Sequence, residues 1–137
     1  MILKVVIGGV LIAHGIGHVL GWFPIFGWAR SSGWTGDSWV LTGAVGTGPT
    51  NVVAFVLWGV SMVGFVIVGL GVLGLPVPAT WLRPLAVIAA LASLLAVGLF
   101  WEAIPALSGR IGSIAVDVIV LWAVLVGHWP STEVVPG

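Results

Sequence analysis

The sequence predicts an all-α integral membrane protein, a four-helix bundle with a long Trp-rich interfacial loop between helices one and two. Of its 137 residues, 60% are hydrophobic and only 6% are charged, and the mean hydropathy is +1.27. Average soluble domains carry roughly 25% charged residues, so a soluble fold of this composition would expose too much apolar surface. We therefore interpret residues 1–137 as a single transmembrane domain.

Four stretches have the length that a spanning helix requires, which is about 17–25 mostly apolar residues. They are predicted at 2–22, 51–75, 84–101 and 111–129. Proline supports three of their boundaries, because it cannot donate to the helical hydrogen-bond ladder. Pro76 and Pro130 follow the second and fourth stretches. Pro84 suits the first turn of the third helix.

The segment 23–50 is too long for a turn inside a bundle and too apolar for a free linker. Three of the nine tryptophans lie along it, at Trp28, Trp34 and Trp39. Tryptophan favours the membrane–water interface, so this loop is expected to lie on the membrane surface. Asp37 or Ser38 is expected to cap a short helix that ends at Val45. The glycines and proline of 46–49 then close the loop.

Four spans place both chain ends on the same side of the membrane. The basic residues divide evenly, with Lys4 and Arg83 on that side and Arg30 and Arg110 on the other. The amino terminus adds one positive charge, which favours cytoplasmic termini in the cytoplasmic (inner) membrane. The first span contains two histidines and lacks a clear cleavage site, so it is interpreted as a retained helix and not as a signal peptide.

The main chemical signal is a group of ionisable residues inside the predicted spans. His14 and His18 are four residues apart and therefore lie on one face of the first helix. Asp117 on the fourth helix falls at roughly the depth of His14. Ionisable residues within a span are costly and usually face the bundle interior. The sequence therefore predicts a polar cluster of His14, His18 and Asp117.

Further polar residues at neighbouring depths are predicted to surround this cluster. Arg110, Ser113 and Asp117 share one face of the fourth helix by their spacing. Ser93 and Glu102 come from the third helix and its end. The predicted surrounding set is Ser93, Glu102, Arg110 and Ser113. His128 lies at the opposite end of the fourth helix and is assigned to a helix end.

Several uses of the cluster remain open at this point. Two histidines and a carboxylate form a ligand set suited to zinc, iron or manganese, so His14, His18 and Asp117 could bind a divalent metal. A histidine could also be an axial haem ligand. A His–Asp pair could relay protons or ions. The remaining interpretations are a structural hydrogen-bonded link between helices and recognition of a lipid or partner.

Small residues on the first helix predict close helix packing. Gly9, Ala13, Gly17 and Gly21 repeat at a spacing of four and form a small-residue stripe. In a bilayer, such stripes let helix backbones approach closely. The stripe is compatible both with packing inside one bundle and with a homo-oligomer.

Composition and motifs exclude several classes of function. The chain has no cysteine, which excludes disulfides, iron–sulfur clusters and cysteine nucleophiles. Four basic residues provide no patch for nucleic acid. Nucleotide-binding and hydrolase motifs are missing, so enzymatic activity is not favoured. We expect an accessory or scaffold subunit that packs with itself or with a membrane complex. A metal- or haem-binding redox protein and an oligomeric transporter or proton relay are the alternatives.

A family resemblance rests on the first helix and on two later features. The first helix reads Leu-Ile-Ala-His-Gly-Ile-Gly-His-Val-Leu-Gly-Trp at 11–22. The two later features are Phe100-Trp101 followed by Pro105, and Asp117 on the fourth helix. The chain resembles small uncharacterised bacterial membrane proteins with four transmembrane helices, of the DoxX type. The resemblance implies the topology alone and carries no role for any residue.

Overall fold

The computed structural model describes residues 1–28 and 33–130, and within them the chain is helical without strands. The α-helices are α1 (Ile2–Gly17), α2 (Leu41–Val45), α3 (Thr47–Val72), α4 (Ala79–Leu99) and α5 (Leu107–Leu125). In this part of the chain, four helices are long and apolar enough to cross a membrane. This confirms the predicted all-α membrane fold.

The first spanning segment covers Ile2–Trp22, which matches the predicted 2–22. Its last part, His18–Trp22, is a 3₁₀ helix and not an α-helix. The tighter winding begins at one of the two histidines of the predicted cluster. The prediction that the two histidines share one face assumed an α-helix throughout, and the α-helix ends at Gly17, directly before His18.

Two helices begin earlier than their prolines suggested. α3 starts at Thr47 instead of residue 51, and Pro49 lies in its first turn, where the amide it lacks would have no helical acceptor. α4 starts at Ala79 instead of residue 84, directly after Pro78, so Pro84 lies inside the helix. A proline within the first turns marks a helix start only to within a few residues. α5 is likewise displaced from the predicted 111–129.

The spanning helices pack in chain order, α1 against α3, α3 against α4, and α4 against α5. Glycine allows the closest of these approaches. A Cβ atom at Gly69 of α3 would lie 2.8 Å from the carbonyl oxygen of Gly8 on α1. A Cβ atom at Gly64 would lie 2.7 Å from the Cβ of Ala89 on α4. Backbone proximity of this kind supplies the van der Waals attraction that holds helices together in lipid.

The interior contains two apolar layers. The terminal-side layer consists of Leu11, Phe65, Val68, Val72, Ala86, Ala89, Ala90, Val120 and Val124. The loop-side layer consists of Ala54, Trp58, Ala96, Val97, Phe100, Ala103 and Ile104. Buried polar residues of α1, α4 and α5 lie between these two layers.

The predicted small-residue stripe of α1 is divided in the structure. Gly21 is buried under Trp58, whose indole would lie 2.5 Å from an added Cβ. Gly9, Ala13 and Gly17 are exposed, and an added Cβ at either glycine would meet nothing within 4 Å. Three of the four stripe residues therefore face outward.

The loop between α1 and α2 is attached to the end of α4 by hydrogen bonds. Ser38 Oγ donates to the carbonyl of Leu99 at 2.7 Å and accepts from the amide of Leu41 at 3.1 Å, at the start of α2. Trp39 Nε1 donates to the carbonyl of Gly98 at 2.8 Å. Arg30 of this loop and Glu133 near the carboxyl end lie outside the described residues.

Candidate intramembrane polar site

The outer helices α1 and α5 are joined by a hydrogen bond between His14 and Asp117. The distance from His14 Nε2 to Asp117 Oδ1 is 3.0 Å. The Asp117 side chain is fully buried, whereas the His14 side chain is 11% exposed. The structure thus brings together two of the three residues predicted for the cluster, from helices that are far apart in sequence.

Ser93 of α4 lies at the centre of the site. Its Oγ is 2.6 Å from Asp117 Oδ2 and 2.8 Å from His18 Nε2. A longer contact of 3.4 Å joins it to Ser113 Oγ of α5. A hydroxyl has one proton to donate and two lone pairs, so Ser93 can serve all three neighbours. We call these five residues, His14, His18, Ser93, Ser113 and Asp117, the polar network.

The junction between the α-helical and 3₁₀ parts of the first span positions His18. Its backbone amide donates to the carbonyl of Gly15, as expected in a 3₁₀ turn. Its imidazole Nδ1 lies 2.8 Å from the carbonyl oxygen of His14 and donates to it. This bond leaves Nε2 directed at Ser93.

The four short contacts of the network are compatible with two net-neutral arrangements of its protons. In one net-neutral arrangement, Asp117 is protonated and donates to Ser93, which donates to His18 Nε2. In the other, His18 carries two protons and donates to Ser93, which donates to an ionised Asp117. The two arrangements contain the same number of protons. In both of them His14 Nε2 donates to Asp117, so His14 Nδ1 is an acceptor. The reverse orientation of His14 would leave one unpaired positive charge inside the span, which is costly.

Aromatic side chains of α3 enclose the two histidines. The His14 ring packs edge-on against Phe65, with centroids 4.7 Å apart. The His18 ring lies 5.5 Å from that of Trp58. Phe65 was not among the residues predicted for the site. A phenylalanine within a long apolar helix carries no signal that distinguishes it from lipid-facing residues.

Glu102 and Arg110 belong to a different environment from the one expected. Arg110 Nε donates to the carbonyl of Ile104 at 2.8 Å, and its guanidinium lies 5.1 Å from the ring of Trp101. Glu102 is exposed and makes no hydrogen bond to the network within the described residues. Glu102 follows the end of α4, and Arg110 lies near the start of α5. Of the surrounding set, Ser93 and Ser113 alone contact the predicted cluster.

Metal binding finds no support in the arrangement of the described residues. Among 1–28 and 33–130, no three His, Asp or Glu side chains are placed so that they could hold a metal ion. Nε2 of each histidine already has a hydrogen-bond partner, His14 on Asp117 and His18 on Ser93. His128 is remote from the site, and its carbonyl accepts a hydrogen bond from Arg83 at the other end of the bundle.

Fold and site together define a multi-pass helical membrane protein with a hydrogen-bonded polar network inside its bundle. Compared with models of protein families, with curated proteins and with solved structures, the chain shows no match. The resemblance to the DoxX type therefore stays a prediction.

Proposed function

We propose that the chain is a non-enzymatic accessory or scaffold subunit of the cytoplasmic membrane, with cytoplasmic termini, which packs with itself or with a larger membrane complex. In this proposal the polar network is a structural, hydrogen-bonded link that holds α1, α4 and α5 together. The bilayer and a second copy of the chain are its nearest partners.

The observation that carries the proposal is that the buried polar atoms of the network are all paired, between two apolar layers. Within the described residues, every buried side-chain nitrogen and oxygen has a hydrogen-bond partner. The terminal-side layer, from Leu11 to Val124, separates Asp117 from the membrane face at the α3–α4 connection and contains apolar side chains alone. A proton or ion relay needs polar groups along its path. A polar network that ends at an apolar layer on the terminal side favours a structural role.

The exposed part of the stripe, Gly9, Ala13 and Gly17, supports the packing role. These residues leave the backbone of α1 accessible from the lipid side. A second helix could approach closely there, since small residues permit the backbone contact that drives association in lipid.

Cross-linking of single-cysteine variants in native membranes tests self-association. The natural chain has no cysteine, so Gly9→Cys introduces one defined thiol on the exposed face of α1. Ile119→Cys, at a 63% exposed position of α5, is the matched control. We expect oxidation to give disulfide-linked dimers for Gly9→Cys and few for Ile119→Cys. Equal yields at both positions would indicate random collision and reject this packing face.

The two alternative functions predict different measurements on the purified protein. Proteoliposomes containing a pH-sensitive dye should show no proton flux above that of protein-free liposomes. Flux that disappears in Asp117→Asn would establish the relay instead.

Elemental analysis and an absorption spectrum should show no stoichiometric metal or haem. A cofactor lost in the His14→Ala, His18→Ala double variant would establish a redox or catalytic site.

A further inference from the structure

A cavity of about 370 Å³ lies on the loop side of the polar network, between α1 and α5. It exists because α1 packs on α3 and α5 packs on α4, so these two outer helices meet across a gap. Ala13 and Gly17 of α1 and Gly112 of α5 line it and are exposed. The cavity therefore opens sideways between two spanning helices, at the depth of the hydrocarbon core.

Two residues that line the cavity, His14 and Ser113, each have a polar atom with unused hydrogen-bonding capacity. His14 Nδ1 has no hydrogen-bond partner among the described residues and is not buried, since every buried side-chain polar atom is paired. It is an acceptor, because Nε2 donates to Asp117. Ser113 Oγ has only the 3.4 Å contact to Ser93, so its hydroxyl can also bond to a guest molecule. Both residues line the cavity.

Apart from His18 and Ser108, the remaining wall is mainly apolar. Leu20, Val97, Ile104 and Val116 supply aliphatic surface, and Trp58 supplies an aromatic face. Among the described residues, no Lys, Arg, Asp or Glu side chain lines the cavity. A charged headgroup would find no counter-ion there, and burying it unpaired would be costly.

We propose that this cavity binds one uncharged lipophilic molecule that carries a hydroxyl group. The hydroxyl donates to His14 Nδ1 and can contact Ser113, while the apolar body lies against the aliphatic wall and Trp58. The volume is at the lower end of the roughly 300–1,000 Å³ typical of small-molecule sites, which suits a single-chain alcohol or a phenol better than a phospholipid. This site borders the proposed packing face, since Ala13 and Gly17 line the cavity, whereas Gly9 of that face does not.

Photolabelling in lipid nanodiscs tests the proposal. The probe is a medium-chain alkanol with a diazirine near its chain end, and mass spectrometry locates the adduct. We expect saturable labelling of cavity-lining residues. The unlabelled alkanol should compete about tenfold better than its methyl ether, which has the same shape but no proton to donate.

Two glycine substitutions distinguish binding in the cavity from nonspecific partitioning of the probe into the bilayer. An added Cβ at Gly112 or at Gly9 would meet nothing within 4 Å, so both positions tolerate a side chain. Gly112→Leu fills the cavity and should abolish saturable labelling, whereas Gly9→Leu should retain it. Retention of labelling by Gly9→Leu while its self-association is lost would separate this site from the packing face.

A third variant protects the test against misfolding of Gly112→Leu. Ser113→Ala removes one hydroxyl that can donate to the guest oxygen and should weaken binding of the alkanol several-fold, while the preference for the alkanol over its methyl ether, which depends on donation to His14, should persist. Three results would overturn the proposal, because each would show only nonspecific partitioning of the probe. They are labelling that does not saturate, equal competition by alkanol and ether, and equal labelling of the two leucine variants.

Discussion

At the scale of single residues, Ser93 holds the site together, although the sequence placed it only around the cluster. The spacing of His14 and His18 and the depth of Asp117 predicted that the first and fourth spans contribute to one polar cluster. Ser93 could not be ranked in advance, since a buried serine in a spanning helix often bonds to its own backbone. Ser61 of α3 does this, donating to the carbonyl of Leu57 at 2.8 Å.

The two buried serines, Ser93 and Ser61, are expected to contribute differently to stability. Ser93→Ala leaves Asp117 Oδ2 and His18 Nε2 without their partner and should lower the free energy of unfolding by about 1–3 kcal/mol. Ser61→Ala removes a bond to a backbone carbonyl alone and should cost well below 1 kcal/mol, on the order of the average interhelical hydrogen bond in membranes. Both side chains are fully buried, so the pair is matched. Unfolding by SDS titration in mixed micelles measures the difference, and equal losses would contradict a network centred on Ser93.

At the scale of helices, composition predicted which segments span the membrane but not their limits. Pro49 and Pro84 are compatible with several positions in the first turns, so the proline rule could not fix where α3 and α4 begin. The period-four pattern of α1 likewise did not show whether its small residues face the bundle or the lipid. Gly8 and Gly15, which lie one or two residues away from the stripe, face α3 instead. A helix that is apolar all round does not indicate which face is buried.

The crossing of α1 and α3 yields a prediction about glycine. Gly69→Ala places a methyl group 2.8 Å from the Gly8 carbonyl oxygen and should destabilise the bundle by about 1–3 kcal/mol. Gly9→Ala adds the same methyl group in open space and should be neutral or stabilising by up to about 1 kcal/mol, through helix propensity. Thermal unfolding in detergent compares the two variants. Comparable destabilisation of both would mean that α1 does not cross α3 at these residues.

At the scale of the whole molecule, the apolar composition was enough to predict a membrane protein with four spans. The pairing order of its helices was not predicted, because lipid-facing and core-facing surfaces are equally apolar in this chain. The cavity between α1 and α5 follows from that order. It could not be anticipated from any single helix.

An even number of spans makes a prediction about topology that is independent of the site. Leu75→Cys marks the α3–α4 connection, on the side of the termini, and Gly43→Cys marks the opposite side, in α2. Both positions are exposed. With cytoplasmic termini, a membrane-impermeant maleimide added to intact cells should label Gly43→Cys alone and should label Leu75→Cys after permeabilisation. The cysteine-free parent chain provides the blank. The reverse labelling pattern would invert the orientation.

The position of the polar network between the two apolar layers also determines how the protein responds to bilayer thickness. The hydrogen bonds of the network fix the position of the first span along the bundle axis. A slide of one helical turn, about 5.4 Å, would break the bonds of His14 and His18 to Asp117 and Ser93 together. We therefore expect the helices to stay in register, so that the bundle adapts to a thinner or thicker membrane by tilting as a unit.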